Sequence, residues 1–102
     1  IKEGDKMEIN EIRIKIDNDL VCLCGNEYGY DIYEKQLKNK IDYSKKNVII
    51  FPENITDIAI SFIQGLMREP IKKIGKQNIF DYFEFKASSS ALEKDIKESV
   101  VF

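Results

Sequence analysis

Residues 47–66 read NVIIFPENITDIAISFIQGL and carry the clearest fold signal in the chain. Val48–Phe51 is a short apolar run without alternation, typical of a central strand that is covered on both faces. After a proline and a polar turn, apolar residues recur at helical spacing, at Ala59, Phe62, Ile63, Leu66 and Met67. Thr56 or Asp57 can cap this helix. The stretch therefore predicts a strand followed by a helix, with Ser61 in the first helical turn.

The segment before this unit predicts two more strands. Ile12, Ile14 and Ile16 alternate with charged residues, which is the period of a half-buried strand. Asp17–Asp19 is a turn signal, and Leu20–Cys24 follows as a second apolar stretch. We therefore expect these two strands to pair as a hairpin.

Helices and strands alternate along the rest of the chain. Helical spacing of apolar residues predicts a first helix from Glu27 to about Asp42. Pro70 is expected to break the helix that carries Ser61, with an extension only as far as Gly75.

The end of the chain predicts one more strand and one more helix. Ile79–Lys86 is rich in aromatic residues, as strands often are. Ser90 and Glu93 have the spacing of a capping box, in which each side chain satisfies a backbone N–H group of the first turn.

The predicted order is thus ββαβαβα, without an internal repeat. This order indicates an α/β fold with a mixed sheet of four or five strands, flanked by helices. A chain of 102 residues matches the commonest size of one domain. Residues 1–7, which end at Met7, are expected to be a flexible leader or a non-native remnant outside that domain.

Composition and charge limit the classes of partner that this chain is expected to bind. A net charge of −2, with basic and acidic residues scattered, argues against nucleic-acid binding, which usually needs a basic stripe. The sequence has no apolar run of the roughly 18–20 residues that span a bilayer, so no membrane association is expected. Cys22 and Cys24, the only cysteines, are expected to be buried rather than disulfide-bonded, which favours a cytoplasmic location.

Catalytic chemistry is poorly supported. The chain has no histidine, which excludes nucleophile–histidine pairs, and no phosphate-binding glycine loop. Asp17 and Asp19 are better explained by the turn than by catalysis or metal binding. The aromatic residues lack the interleaved basic residues that RNA stacking needs, so core or interface packing is favoured. We therefore expect no enzyme activity, no cofactor and no metal.

Ser61 is the residue that this reasoning leaves open. With a cap at Asp57 it would be the fourth residue of its helix, near the carboxyl end of the preceding strand, where ligands of open α/β sheets tend to bind. The alternative is that Ser61 is a small polar residue beside the apolar face, on the same side as Gln64 and Arg68.

The chain resembles STAS-like domains, in particular small prokaryotic STAS-like proteins of unknown function, over about residues 12–101. The resemblance lies in the strand Val48–Phe51, in Ile58 and Ser61-Phe62 of the following helix, and in GNEYGYDI (residues 25–32) at the entry to the first helix. These proteins are related in fold to bacterial anti-sigma-factor antagonists.

In anti-sigma-factor antagonists, a kinase-like anti-sigma factor phosphorylates a serine that follows an aspartate. The resemblance places Ser61 at that serine, whereas Ile60 stands where the polar neighbour would be, and Phe51 and Pro52 replace the acid at the strand end. The resemblance implies a regulatory module that binds a protein partner, such as an ATP-binding kinase-like regulator, with Ser61 as a candidate phosphorylation switch. Because of these departures, binding through this edge is better supported than phosphorylation. The residues expected at this binding edge are Asn54, Thr56, Asp57, Ser61 and Gln64.

Two other functions remain open. The chain is also compatible with a small inhibitor or accessory protein that docks on a larger enzyme through an aromatic or acidic surface. An enzyme or a small-ligand carrier is the least supported alternative, and an apolar pocket with convergent polar groups would favour it.

Overall fold

The computed structural model describes residues 8–102. The leader predicted at residues 1–7 lies outside this range. The strands are β1 (Ile9–Arg13), β2 (Cys22–Leu23), β3 (Lys46–Ile50), β4 (Asp57–Ile58) and β5 (Phe83–Lys86). The helices are α1 (Asn26–Ile32), α2 (Ile60–Leu66), α3 (Arg68–Ile74), α4 (Ile79–Tyr82) and α5 (Ser90–Val101). One π-helical segment (Tyr33–Leu37) extends α1, and one 3-10 turn (Lys76–Asn78) precedes α4.

The strands form two parallel sheets rather than one mixed sheet. The larger sheet has the order β1-β3-β5, and the smaller sheet pairs β2 with β4. Ile12, Ile49 and Phe85 are aligned across the larger sheet and are almost completely buried. Burial of each such side chain contributes about 1.5–3 kcal/mol. The prediction of an α/β fold with β3 as a central strand is confirmed, while the single mixed sheet is wrong.

The predicted hairpin is also wrong. The turn forms, since Asp17 Oδ1 accepts a hydrogen bond from the Asp19 backbone N–H at 3.0 Å. Beyond it, however, the chain leaves the larger sheet, and β2 pairs with β4 instead of β1. Alternation of apolar residues specifies which face of a strand is buried, but not which strand lies beside it.

The buried amide of Asn47 fixes the beginning of β3. Its Nδ2 donates to the backbone carbonyls of Asp42 (3.0 Å) and Tyr82 (3.1 Å). Its Oδ1 accepts from the Asp42 backbone N–H (3.0 Å) and from Asn10 Nδ2 (2.7 Å). Because a buried amide must be hydrogen-bonded, this network ties together the amino-terminal ends of all three strands of the larger sheet.

Two successive strand–strand–helix units pack side by side. The unit β1-β2-α1 lies against β3-β4-α2, with parallel pairing between the first strands and between the second strands. Where α1 crosses α2, a Cβ on Gly29 would overlap the Phe62 carbonyl oxygen, and a Cβ on Gly65 would overlap the Asn26 carbonyl oxygen. The two helix backbones are therefore in direct contact, which only glycine permits here.

Helix boundaries differ from the predictions in detail. The first helix continues only to Leu37. The predicted helix break occurs at Met67, between α2 and α3, while Pro70 itself lies in the first turn of α3. The predicted end at Gly75, which has a φ of +86°, is confirmed. The last strand covers only Phe83–Lys86, because residues 79–82 form α4. Ser89, not Ser90, caps α5: its side chain accepts a hydrogen bond from the Leu92 backbone N–H at 3.1 Å.

Candidate functional site

The start of α2 lies directly after the short strand β4. Thr56 and Asp57 do not cap this helix, contrary to prediction; α2 begins at Ile60, and the cap position is Ala59, which forms no side-chain cap. The reason is tertiary pairing: the backbone N–H groups of Thr56 and Asp57 donate to the Val21 carbonyl at 2.8 and 3.3 Å. Strand formation with β2 therefore overrides the local capping preference of these residues.

Ser61 is the second residue of α2, not the fourth. Its side chain is partly buried, and its Oγ accepts a hydrogen bond from the Gly25 backbone N–H at 3.1 Å. Gly25 precedes α1 and has a φ of +101°, a conformation that favours glycine. The Ser61 hydroxyl thus joins the beginnings of α1 and α2.

Asn54 and Thr56 contact the same neighbouring segment. Asn54 Nδ2 donates to the Leu20 carbonyl at 2.8 Å, and Thr56 Oγ1 donates to the Val21 carbonyl at 3.4 Å. Together with Ser61, these residues attach residues 20–25 to the chain around α2. We call this junction, formed by residues 20–25 and 54–61, the α2 edge.

Asp57 and Gln64 are placed differently. Asp57 is exposed on the α2 edge, with its Oδ2 4.0 Å from Cys22 Sγ. Gln64 is exposed one turn further along α2 and lines a depression of about 130 Å³ with Ile71, Lys76 and Val100. The structure therefore brings together Asn54, Thr56, Asp57 and Ser61, and leaves Gln64 outside the junction.

An open groove lies beside the α2 edge. Ile58, Ala59 and Ile60 line one side of it, and Asp95, Glu98, Ser99 and Phe102 line the other, around a volume of about 320 Å³. Ile60 is 41% exposed and Phe102 is 78% exposed, although both are large and apolar. The groove thus combines accessible apolar surface with two carboxylates of α5.

The exposed cysteines were not anticipated. Cys22 and Cys24 are both exposed on the side of β2 opposite the fully buried Leu23, so the prediction that they are buried is wrong. Burial alternates through β2 and the next residue as expected, but Cys22 and Cys24 lie on the solvent side and Leu23 lies in the core. Partial desolvation raises the pKa of the Cys22 thiol, and the Cys24 thiol and the Asp57 carboxylate act in the same direction.

Most aromatic side chains serve packing within the chain. Phe83 and Phe85 are buried in the core, and Tyr33 stacks on Tyr30 with 6.0 Å between ring centroids. The Arg68 guanidinium covers the Tyr30 ring at 4.4 Å. A hydrogen bond with Glu34 raises the pKa of the Tyr30 hydroxyl.

Next to this stack lies a depression with an acidic rim. It has a volume of about 420 Å³ and is lined by Glu27, Tyr30, Asp31, Glu34 and Arg68. Lys35 and Lys38 pair with Asp31 and Glu34 at 3.2 and 3.6 Å, which offsets part of the negative charge.

Residues 8–102 contain no group of three or more histidine, cysteine, aspartate or glutamate side chains placed to hold a metal ion. Over the same range, every helix is too short or too polar to cross a lipid bilayer.

Comparisons with protein-family models, with curated proteins and with solved structures give no match to this chain. A functional proposal therefore depends on the geometry of the α2 edge and its surroundings.

Proposed function

We propose that this chain is a non-enzymatic regulatory module of the STAS-like type, which binds a protein partner through the α2 edge and the groove beside it. The observation that carries the proposal is the exposed apolar groove at Ile60, directly beside the residue on which the sequence resemblance centres. Exposed apolar groups that lie in a depression are typical anchors for a protein partner.

The chemistry of the groove favours a partner that presents an apolar side chain next to a basic one. The apolar group would cover Ile60 and Phe102, while the basic group would face Asp95 and Glu98. Complementary charge of this kind contributes mainly to specificity and to the rate of association. A kinase-like, ATP-binding regulator is the partner class that the resemblance implies.

Ser61 supplies the element of regulation in this proposal. Its hydroxyl is engaged with the Gly25 N–H, so a phosphate ester on Oγ would disturb the junction between the two helix starts. It would also add about two negative charges close to Asp57. Both effects change the surface next to the groove, which would weaken binding of the partner.

The direct experiment is co-purification of the tagged full chain from its native cells, followed by mass spectrometry that scores bound proteins and phosphate on Ser61. Ile60→Glu should lose the partner, because it places a charge in the apolar groove. Ile9→Glu is the matched control, since Ile9 is 65% exposed at the start of β1 and does not line the groove. Retention of the same partner by Ile60→Glu would refute the proposed binding surface.

A second candidate is an inhibitor or accessory protein that docks through the depression with the acidic rim. The specific observation is the convergence of Glu27, Asp31 and Glu34 around one open depression. On this alternative, Glu27→Lys would abolish capture of the partner while Ile60→Glu would not. The same co-purification therefore separates the two functions.

A further inference from the structure

Cys22 and Cys24 form a pair of accessible thiols that the proposed function does not use. They are separated by one residue, and both are exposed, while Leu23 between them is fully buried. Because side chains alternate along an extended chain, Cys22 and Cys24 lie on the same face of it, opposite Leu23. Two adjacent thiols on one accessible face can react in sequence with a single reagent.

Metal binding does not explain this pair. Asp57 is the nearest carboxylate, 4.0 Å from Cys22 Sγ, yet no cluster of three or more metal-ligating side chains occurs within residues 8–102. A structural zinc site needs four protein ligands. The chemistry that two thiols can complete without further protein ligands is formation of a disulfide.

We propose that Cys22 and Cys24 are a dithiol modification site, which a low-molecular-weight disulfide oxidises to an intramolecular Cys22–Cys24 disulfide. One thiol loses its proton and attacks a sulfur of the reagent, so that a mixed disulfide forms and one reagent thiol leaves with a proton. The other cysteine then attacks the protein sulfur of the mixed disulfide and releases the second reagent thiol. In sum, two protein thiols are oxidised and the reagent disulfide is reduced to two thiols.

The disulfide would change the local backbone. In an extended strand, residues two apart have Cα atoms about 6.6 Å apart, whereas disulfides prefer about 5.5–6 Å. A separation of about 6.6 Å is near the upper end of the usual range of about 4.4–6.8 Å, so bond formation favours a shorter span from Cys22 to Cys24. Leu23 is held in the core, and its carbonyl accepts a hydrogen bond from the Ala59 N–H at 2.8 Å. Most of the movement falls on Cys24 and on Gly25, the next residue.

A movement of Gly25 would affect its hydrogen bond with Ser61. The Gly25 N–H donates to Ser61 Oγ at 3.1 Å, so contraction of the strand weakens the hydrogen bond that joins the two helix starts. Oxidation would thereby alter the α2 edge. This consequence for partner binding rests on the proposed function, whereas the disulfide and its effect on Gly25 do not.

The test uses the full chain without any partner and oxidised glutathione as the reagent. After oxidation, the intact mass should fall by two hydrogens, and iodoacetamide should modify neither cysteine. In the variants Cys22→Ser and Cys24→Ser, the reaction should end at a mixed disulfide between the remaining cysteine and one glutathione. Two free thiols in the wild type, or glutathione on both cysteines, would overturn the modification site.

Amide hydrogen exchange at Gly25, followed by NMR, tests the link to Ser61. Exchange should be several-fold faster in the oxidised protein than in the reduced protein. Ser61→Ala should exchange fast in both states, because the hydroxyl acceptor is absent. Equal exchange rates at Gly25 in the reduced and oxidised wild type would overturn the link. Since no partner is present, this result is independent of whether the α2 edge binds a protein.

Discussion

At the scale of single residues, the two glycines at the crossing of α1 and α2 are under the tightest steric constraint. Gly29 and Gly65 each face a backbone carbonyl of the other helix, so a methyl group at either position must push the helices apart. Their role was not predictable from the sequence, because helical glycine is also found without any close contact. Only the packing of α1 on α2 makes the small side chain necessary.

Gly65→Ala is therefore expected to lower the free energy of unfolding by about 1–3 kcal/mol, because overpacking outweighs the gain of about 1 kcal/mol in helix propensity. Gln64→Ala, at the exposed neighbouring position, should change it by no more than about 0.5 kcal/mol. Urea unfolding of both variants provides the measurement. Equal or greater stability of Gly65→Ala would show that the helices are not in backbone contact.

Asp42 is expected to make the stability of the fold depend on pH in the acidic range. Its Oδ1 accepts hydrogen bonds from the Ser44 hydroxyl (2.6 Å) and the Ser44 backbone N–H (2.9 Å), and these bonds lower the pKa of the carboxyl group. A carboxylate whose pKa is lower in the folded state stabilises the fold above its unfolded pKa of about 3.9. That stabilisation is lost as the pH falls through the lower, folded value.

The wild type should consequently lose more stability than Asp42→Asn when the pH is lowered from 7 to 2. Ser44→Ala, which keeps the carboxyl group but removes the hydroxyl donor, should lie between the two. Urea midpoints measured across this pH range give the comparison. Superimposable pH profiles for the wild type and Asp42→Asn would be inconsistent with a lowered pKa at Asp42.

Among the helices and strands, α5 has a cap that was predicted from the sequence to within one residue. The serines before α5 do predict a cap, but Ser89 rather than Ser90 accepts from a backbone N–H. Glu93 accepts from the Ala87 N–H at 2.9 Å, two residues before the cap itself. Three consecutive serines offer alternative cap positions, and the tertiary path of the chain selects one of them.

Ser89→Ala should cost about 0.5–2 kcal/mol of stability, as expected for the loss of a helix cap. Ser90→Ala should have little effect, because its side chain is exposed in the first turn of α5 and is not the cap. Thermal unfolding of the two variants compares these adjacent positions directly. A larger loss for Ser90→Ala would place the cap one residue later.

Element pairing was much harder to predict than element identity. Local patterns correctly indicated β3 and the end of the helix at Gly75, and they indicated a helix break that the structure has at Met67, three residues before Pro70. They did not show that β2 pairs with β4, because that choice depends on residues more than 30 positions apart. The same pairing explains why Thr56 and Asp57 lie in a strand region instead of capping α2.

At the scale of the whole molecule, the α2 edge is where both strand–strand–helix units meet. Asn54, Thr56 and Ser61 were singled out from the sequence as binding residues, and each of them contacts residues 20–25 within the chain. Their side chains therefore hold the junction together, while Ile60 in the adjoining groove is exposed, and the proposed function assigns the apolar contact to it. The sequence did not indicate that Ile60 is exposed.

The proposed function places a protein partner at the groove beside Ser61. The most direct test is the dissociation constant of the captured partner for the purified wild type, Ile60→Glu and Ile9→Glu. We predict that Ile60→Glu weakens binding at least about tenfold, equivalent to about 1.4 kcal/mol, whereas Ile9→Glu binds like the wild type. Equal affinity of all three proteins for the partner would contradict the claim.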